Sequence, residues 1–226
     1  MSVDPDAMSL WAAVDDYFAV LAPEDEHLVA TREAAAAAGL PDIAVAANQG
    51  KLLRLVAELA GSRRILEIGT LGGYSTLWLA RALPPDGKLV SLEIDQKHAM
   101  IARTSMAYAG VDHLVEIVVG PAADSLDRMA ADQVTPFDLV FIDADKESLA
   151  QYLEQSLALS HPGTVIIVDN VVRRGAVIDE AHPDERVQGV RRMVDLLAEH
   201  PRLDPTVIQT VGVKGHDGFA LLRVLP

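Results

Sequence analysis

The sequence contains no cysteine. That excludes disulfide staples, thiolate zinc sites and cysteine nucleophiles, and it fits a reducing, cytoplasmic setting. Long apolar runs are also missing. Stretches such as Thr164-Val165-Ile166-Ile167-Val168 fall far short of the ~20 residues a membrane helix needs. The opening Met1-Ser2-Val3-Asp4-Pro5-Asp6 is acidic and has no hydrophobic segment, so no secretory signal is expected there. Positive charge is scarce: 19 Lys and Arg face 33 Asp and Glu, for a net charge of −14 and a pI near 4.8. Such a surface repels phosphate backbones, so neither nucleic acid nor a membrane is an expected partner. No internal repeat or long linker interrupts the chain. Half of its residues are apolar and mean hydropathy is +0.20, so residues 1–226 are expected to bury a core as one domain.

Two periodicities divide the chain. Residues 9–61 read as helical. Trp11, Val14, Phe18 and Leu21 recur at helical spacing. Glu24 to Ala38 is Ala-rich and stops at Gly39 and Pro41. A third helix, Gly50 to Ala60, aligns Leu52, Leu53, Val56 and Leu59. From Arg63 short apolar runs take over: Ile65–Ile68, Leu89–Leu92, Val115–Val119, Phe137–Ile142 and Val165–Val168. Continuous runs of this kind suit strands buried on both faces. Helical segments separate them (Tyr74–Ala82, Gln96–Ala109, Asp124–Ala131, Ser148–Leu159), which predicts an α/β fold with a doubly wound parallel sheet. After a helix near Glu185–Glu199, two runs, Pro205–Val211 and Phe219–Val224, are joined only by residues 212–218, with Gly215, Asp217 and Gly218 expected to turn the chain. That link is too short for a crossover, so a hairpin and one antiparallel strand are predicted.

Open α/β sheets bind ligands at the carboxyl ends of their strands. The first strand ends in Leu66-Glu67-Ile68-Gly69-Thr70-Leu71-Gly72-Gly73-Tyr74-Ser75, and the second in Ser91-Leu92-Glu93. A glycine loop followed by an acid roughly 20 residues on suits a ribose-bearing cofactor. Gly69, Gly72 and Gly73 miss the G-x-G-x-x-G spacing of a dinucleotide site. Glu67 would also repel a pyrophosphate, whereas it could serve the cationic methionine end of S-adenosylmethionine. A third strand end carries Gly120-Pro121-Ala122.

The fourth strand ends in Phe141-Ile142-Asp143-Ala144-Asp145-Lys146 and the fifth in Val168-Asp169-Asn170. If these ends lie side by side, Asp143, Asp169 and Asn170 converge as hard oxygen donors. Such a set suits Mg²⁺, Mn²⁺ or Ca²⁺ better than zinc. Lys146 stands out because most basic residues here are Arg. A Lys can act as a base where an Arg cannot. A vicinal diol on such a metal would be acidified and could give its proton to Lys146. The seven His residues show no ligand spacing, and Met100 and Met106 read as core.

These segments together resemble the cation-dependent O-methyltransferases, the group of caffeoyl-CoA and catechol O-methyltransferases and their small bacterial relatives. The likeness runs from about Gln49 to the C-terminus and ends on Asp217-Gly218. It implies the class I S-adenosylmethionine-dependent methyltransferase (Rossmann-like) fold. That fold has a seven-stranded, mostly parallel sheet over residues 62–226 with an antiparallel C-terminal strand, and helices over 1–61 shape the substrate mouth. The resemblance implies that Glu67, Gly69, Thr70 and Ser75 contact the methionine part of the cofactor and Glu93 the ribose. Ala122 and Asp145 would lie near the adenine, and Val45 would supply a backbone contact. Asp143, Asp169 and Asn170 would hold the divalent cation, Mg²⁺ first among them, with Lys146 as base beside Asp143. It further implies a homodimer acting on a hydroxyl of a small catechol-like or hydroxycinnamoyl-type aromatic. The chain departs from the family pattern where an aromatic lid is usual: Val171-Val172 is followed by Arg173 and Arg174, and Leu149 replaces a common Tyr, with Tyr152 further on. Two guanidinium groups there suggest an acidic catechol as acceptor. The rival readings are a nicotinamide oxidoreductase and a non-catalytic binding protein on the same scaffold.

Overall fold

The computed structural model describes residues 5–226, so most of the acidic opening segment, Met1–Asp4, lies outside the described residues. Helices α1 (Pro5–Phe18), α2 (Glu26–Ala37) and α3 (Ala47–Leu59) precede β1 (Arg64–Ile68). The alternating part follows: α4 (Tyr74–Ala80), β2 (Lys88–Glu93), α5 (Gln96–Tyr108), β3 (Val115–Val119), α6 (Ala122–Ala131), β4 (Phe137–Ile142), α7 (Leu149–Ala158), β5 (Ser160–Asp169), α8 (Glu185–Glu199), β6 (Leu203–Gly212) and β7 (Gly215–Val224). The helix starts are written locally. Asp25 accepts the Leu28 N–H at the head of α2, Asp95 those of Lys97 and His98 at α5, and Asp184 that of Arg186 at α8.

One seven-stranded sheet has the order β3-β2-β1-β4-β5-β7-β6. Only β7 runs against the others, pairing antiparallel with both β5 and β6. The chain moves outward from β1 to β3 and then returns to β4 on β1's other side, so a crevice opens at the carboxyl ends of β1 and β4. Side chains alternate between two buried layers. Leu66, Ile68, Val140, Ile142, Ile166 and Val168 pack under α7 and α8 with Leu153, Leu157, Val190 and Met193. Ile65, Leu89, Leu139, Phe141 and Ile167 pack under α3 and α4 with Leu53, Ala57, Leu77 and Trp78.

Three details differ from expectation. The hairpin turns at Val213 and Lys214, and Gly215 to Gly218 already belong to β7. A side chain on Gly218 would strike the Ile208 carbonyl, so that glycine serves strand packing rather than turning. Helix α3 buries Gly50, Leu53 and Ala57, while Leu59 is 87 % exposed, because at two positions beyond Ala57 it falls on the opposite side of the helix. Met106 is core, but Met100 points outward from α5 and is 57 % exposed.

Candidate active site

Strand register sets the site. Ile68 pairs with Leu92 on one side and Ile142 on the other, and Ile142 pairs with Val168. The next residues, Gly69, Glu93, Asp143 and Asp169, therefore form one row along the carboxyl rim. Gly69 has φ +99°, and any side chain on it would collide with the Asp143 carbonyl, so the first strand tip can lie against the fourth only with glycine.

On the β1–β2 side the acids are fully engaged. Glu67 follows Ile65 on the face toward α4 and is completely buried. Its carboxylate accepts from Ser75 Oγ (2.6 Å), Thr76 Oγ1 (2.5 Å) and Ser91 Oγ (2.6 Å). Burial pushes its carboxyl up to about 7, the three hydroxyl donors pull it down, and the negative charge of Asp143 adds to the rise. Thr70 Oγ1 lies 2.5 Å from Ser91 Oγ, which extends the network. Glu93 is also buried. It accepts the backbone N–H groups of Thr70 (3.2 Å), Leu71 (2.8 Å) and Asp95 (2.9 Å), and so shapes the glycine loop. Ala122 opens α6 beside the β3 tip, half-buried.

On the β4–β5 side compensation is thin. Lys146 is 5 % exposed and its Nζ donates to Asp143 Oδ1 at 3.0 Å. Its place is fixed by α8, since Gly189 lies so close to the Lys146 carbonyl that no side chain would fit between them. Asp169 is 4 % exposed. It accepts Gln49 Nε2 at 2.7 Å and the N–H of Asn170 at 2.8 Å. Burial and the Asp143 charge hold its carboxyl well above the usual carboxylate range, against the pull of Lys146. Asn170 adopts φ +57°, a conformation Asn tolerates better than most residues. Among the described residues no three His, Asp or Glu side chains form a metal cluster. The donor set here is two carboxylates and one carboxamide, all oxygen, with more negative charge buried than Lys146 alone offsets. That imbalance fits a hard divalent cation.

An open cleft of about 1300 Å³ reaches this rim at Asp169, Asn170, Gln49 and Val45. Its far walls come from the Arg173–Ile178 turn, the head of α8, the β6–β7 hairpin and the loop before α3. Arg173, half-buried, and Arg174, exposed, both line it. They stand in left-handed conformations, φ +53° and +56°, followed by Gly175 at +81°. Such a run costs about 1–3 kcal/mol per non-glycine residue and needs outside support. Asp217 gives it, accepting the N–H groups of Val172 (3.0 Å) and Arg173 (3.1 Å).

The structure thus brings Glu67, Gly69, Thr70, Ser75, Glu93, Asp143, Lys146, Asp169 and Asn170 to one rim, with Val45 and the two arginines around the adjoining cleft. Asp145 is exposed and accepts the Tyr152 hydroxyl at 2.6 Å. Burial and that acid raise the Tyr152 hydroxyl to about 12, so it stays a donor. Sequence reasoning missed Gln49, which reaches Asp169 from α3, 120 positions away, with no spacing signal to betray it. It missed Asp15 too. That carboxylate joins α1 to the hairpin through Val213 N–H (2.7 Å) and to α3 through Asn48 (3.1 Å) at the cleft mouth.

Comparison with known proteins places this geometry. The profile of a family described as O-methyltransferase matches residues 19–225. A catechol O-methyltransferase of Niastella koreensis is 46% identical over 216 residues, 95% of this chain and 98% of that protein. A catechol O-methyltransferase of Mycobacterium tuberculosis is 51% identical over 204 residues, 90% and 91% of the two chains. The crystal structure of an O-methyltransferase from Bacillus cereus in complex with SAH superposes with a TM-score of 0.94 at 50% identity, covering 96% of this chain and 99% of that one.

Proposed function

The chain belongs to the O-methyltransferase family, and from that premise we propose that it transfers the methyl group of S-adenosylmethionine to a hydroxyl of a small aromatic vicinal diol, with a divalent cation, Mg²⁺ first, held by Asp143, Asp169 and Asn170. The observation that carries the reading is the meeting of two adjacent strand tips, one bearing Asp143 with Lys146 and the other a buried, under-compensated Asp169 that lines an open cleft. The names of two relatives and the SAH complex of a third support the acceptor and cofactor classes.

The residues divide the work. Glu67, with Ser75 and Thr70 around it, provides a negative wall for the cationic methionine end, and Gly69 lets the backbone come close. Glu93 faces the ribose, with Ala122 and Asp145 toward the adenine and Val45 closing from the N-terminal side. When bound, the cation supplies Lewis acidity toward the acceptor's oxygens. Lys146, after giving up its own proton to solvent, takes the hydroxyl proton through Nζ, and its burial beside Asp143 holds it at the rim. The rest is positioning, which is worth much of the barrier when reacting atoms are held in line. We further propose a homodimer. Tyr17, Phe18, Val20 and Leu21 at the end of α1 and Val207, Ile208 and Val211 of the edge strand β6 leave apolar surface exposed. Among the described residues no helix is long and apolar enough to cross a membrane.

The test is transfer of labelled methyl to catechols, flavonoids and hydroxycinnamates with Mg²⁺ or with EDTA. Transfer to catechols that EDTA abolishes is expected. Activity indifferent to EDTA removes the cation, and a panel without any acceptor removes the aromatic diol. Thermal stabilisation by S-adenosylhomocysteine and not by NAD separates this reading from the oxidoreductase.

A further inference from the structure

We infer that Arg173 and Arg174 form a carboxylate-binding site for the acceptor, so that the preferred substrate is a catechol carrying its own acid group. This rests on the methyltransferase reading above and deepens it.

The case starts from charge accounting in the cleft. Apart from Asp169, the other Asp, Lys and Arg side chains of its walls already have partners within the protein. Lys214 pairs with Asp42 at 3.4 Å, and Arg186 clasps both oxygens of Asp184. Asp15, Asp179 and Asp217 accept backbone N–H groups. Among the described residues neither Arg173 nor Arg174 has a hydrogen-bonded or ion-paired acid. Asp184 feels the charge of Arg173, but its oxygens are taken by Arg186. Two guanidinium groups without an acid partner, on a cleft wall whose Lys214 and Arg186 each have one, leave hydrogen-bond donors free for an anion from outside.

Geometry adds a second argument. The left-handed run that carries the two arginines is braced by Asp217 and by the Gly175 N–H to Val172 carbonyl bond at 2.9 Å. A strained but pinned backbone fixes where the two side chains leave the chain. That place is three and four residues beyond Asn170, on the wall of the same cleft that Asp169 floors. The cleft, about 1300 Å³, exceeds the ~300–1,000 Å³ usual for small-molecule sites and has room for a ring with a charged arm. A planar guanidinium fork matches a carboxylate bidentately, which a neutral acceptor cannot exploit.

The test compares 3,4-dihydroxybenzoate with catechol, using wild type and R173N/R174N. Asparagine keeps the left-handed backbone accessible while removing the charge. The ratio of kcat/KM for acid over neutral acceptor should fall about tenfold or more in that variant. R173K/R174K, which retains the charge but not the bidentate fork, should keep only part of the ratio. Calorimetric binding of 3,4-dihydroxybenzoate to the S-adenosylhomocysteine-loaded protein should weaken in parallel. An unchanged ratio and unchanged binding overturn the inference. If wild type methylates no catechol at all, the proposed function fails instead, and the binding arm still decides whether the arginines hold a carboxylate.

Discussion

At the tips of β1 and β2, Glu67 accepts three hydroxyl hydrogens and Glu93 three backbone N–H groups. At the tips of β4 and β5, Asp169 accepts one amide and its neighbour's N–H, and Asp143 accepts the Lys146 ammonium. The first pair is a finished wall, its geometry settled before any ligand arrives. The second pair is left short of positive charge in a buried place, which is costly unless a cation completes it. Asp143 joins the two halves, because its charge raises both Glu67 and Asp169. One rim thus holds two kinds of surface, one preorganised by the chain and one at which we propose an ion.

The strongest way to break this comparison is to remove the ion or its ligand. EDTA, or Asp169→Ala, should lower kcat/KM on the order of a thousandfold, with a far smaller loss of S-adenosylhomocysteine affinity by calorimetry; equal losses would merge the two halves. Next in size, Lys146→Met should lower kcat by about a hundredfold or more. Lys146→Arg should not rescue it, since a guanidinium keeps its proton. A third test concerns pH. Glu67 has its folded carboxyl raised from 4.5 to about 7, so the folded state holds a proton that the unfolded state releases. Its stabilising contribution is full below pH 4.5 and is lost as pH rises through 7, amounting to about 3 kcal/mol over that window. Urea unfolding of the ligand-free protein should therefore show a shallower decline for Glu67→Gln than for wild type. The smallest effect is expected from Tyr152→Phe, about 1 kcal/mol of stability, with a fewfold loss of cofactor affinity through Asp145.

The strands were legible because runs such as Leu139–Ile142 are apolar throughout, as burial on both faces demands. The acids at their ends were legible for the same reason: a charge directly after such a run stands at the rim. Where one side chain decides, the sequence said less. Glycines near 215 suggested a turn that Val213 and Lys214 make instead, because Gly218 is small to admit the Ile208 carbonyl and not to bend the chain. Leucines at helical spacing in α3 suggested a face that the sheet does not fully cover. Gln49 carries no periodic or charge signature, and only the folded chain shows it holding Asp169.

The matched family profile begins at residue 19, just after α1 ends. A single carboxylate on that helix, Asp15, fastens it to the rest of the mouth. The rim proposed for the chemistry and the helix at the cleft mouth are thus separate pieces of the chain. An exchange of the first eighteen residues between relatives could retune which acceptors enter while the reacting machinery stays untouched.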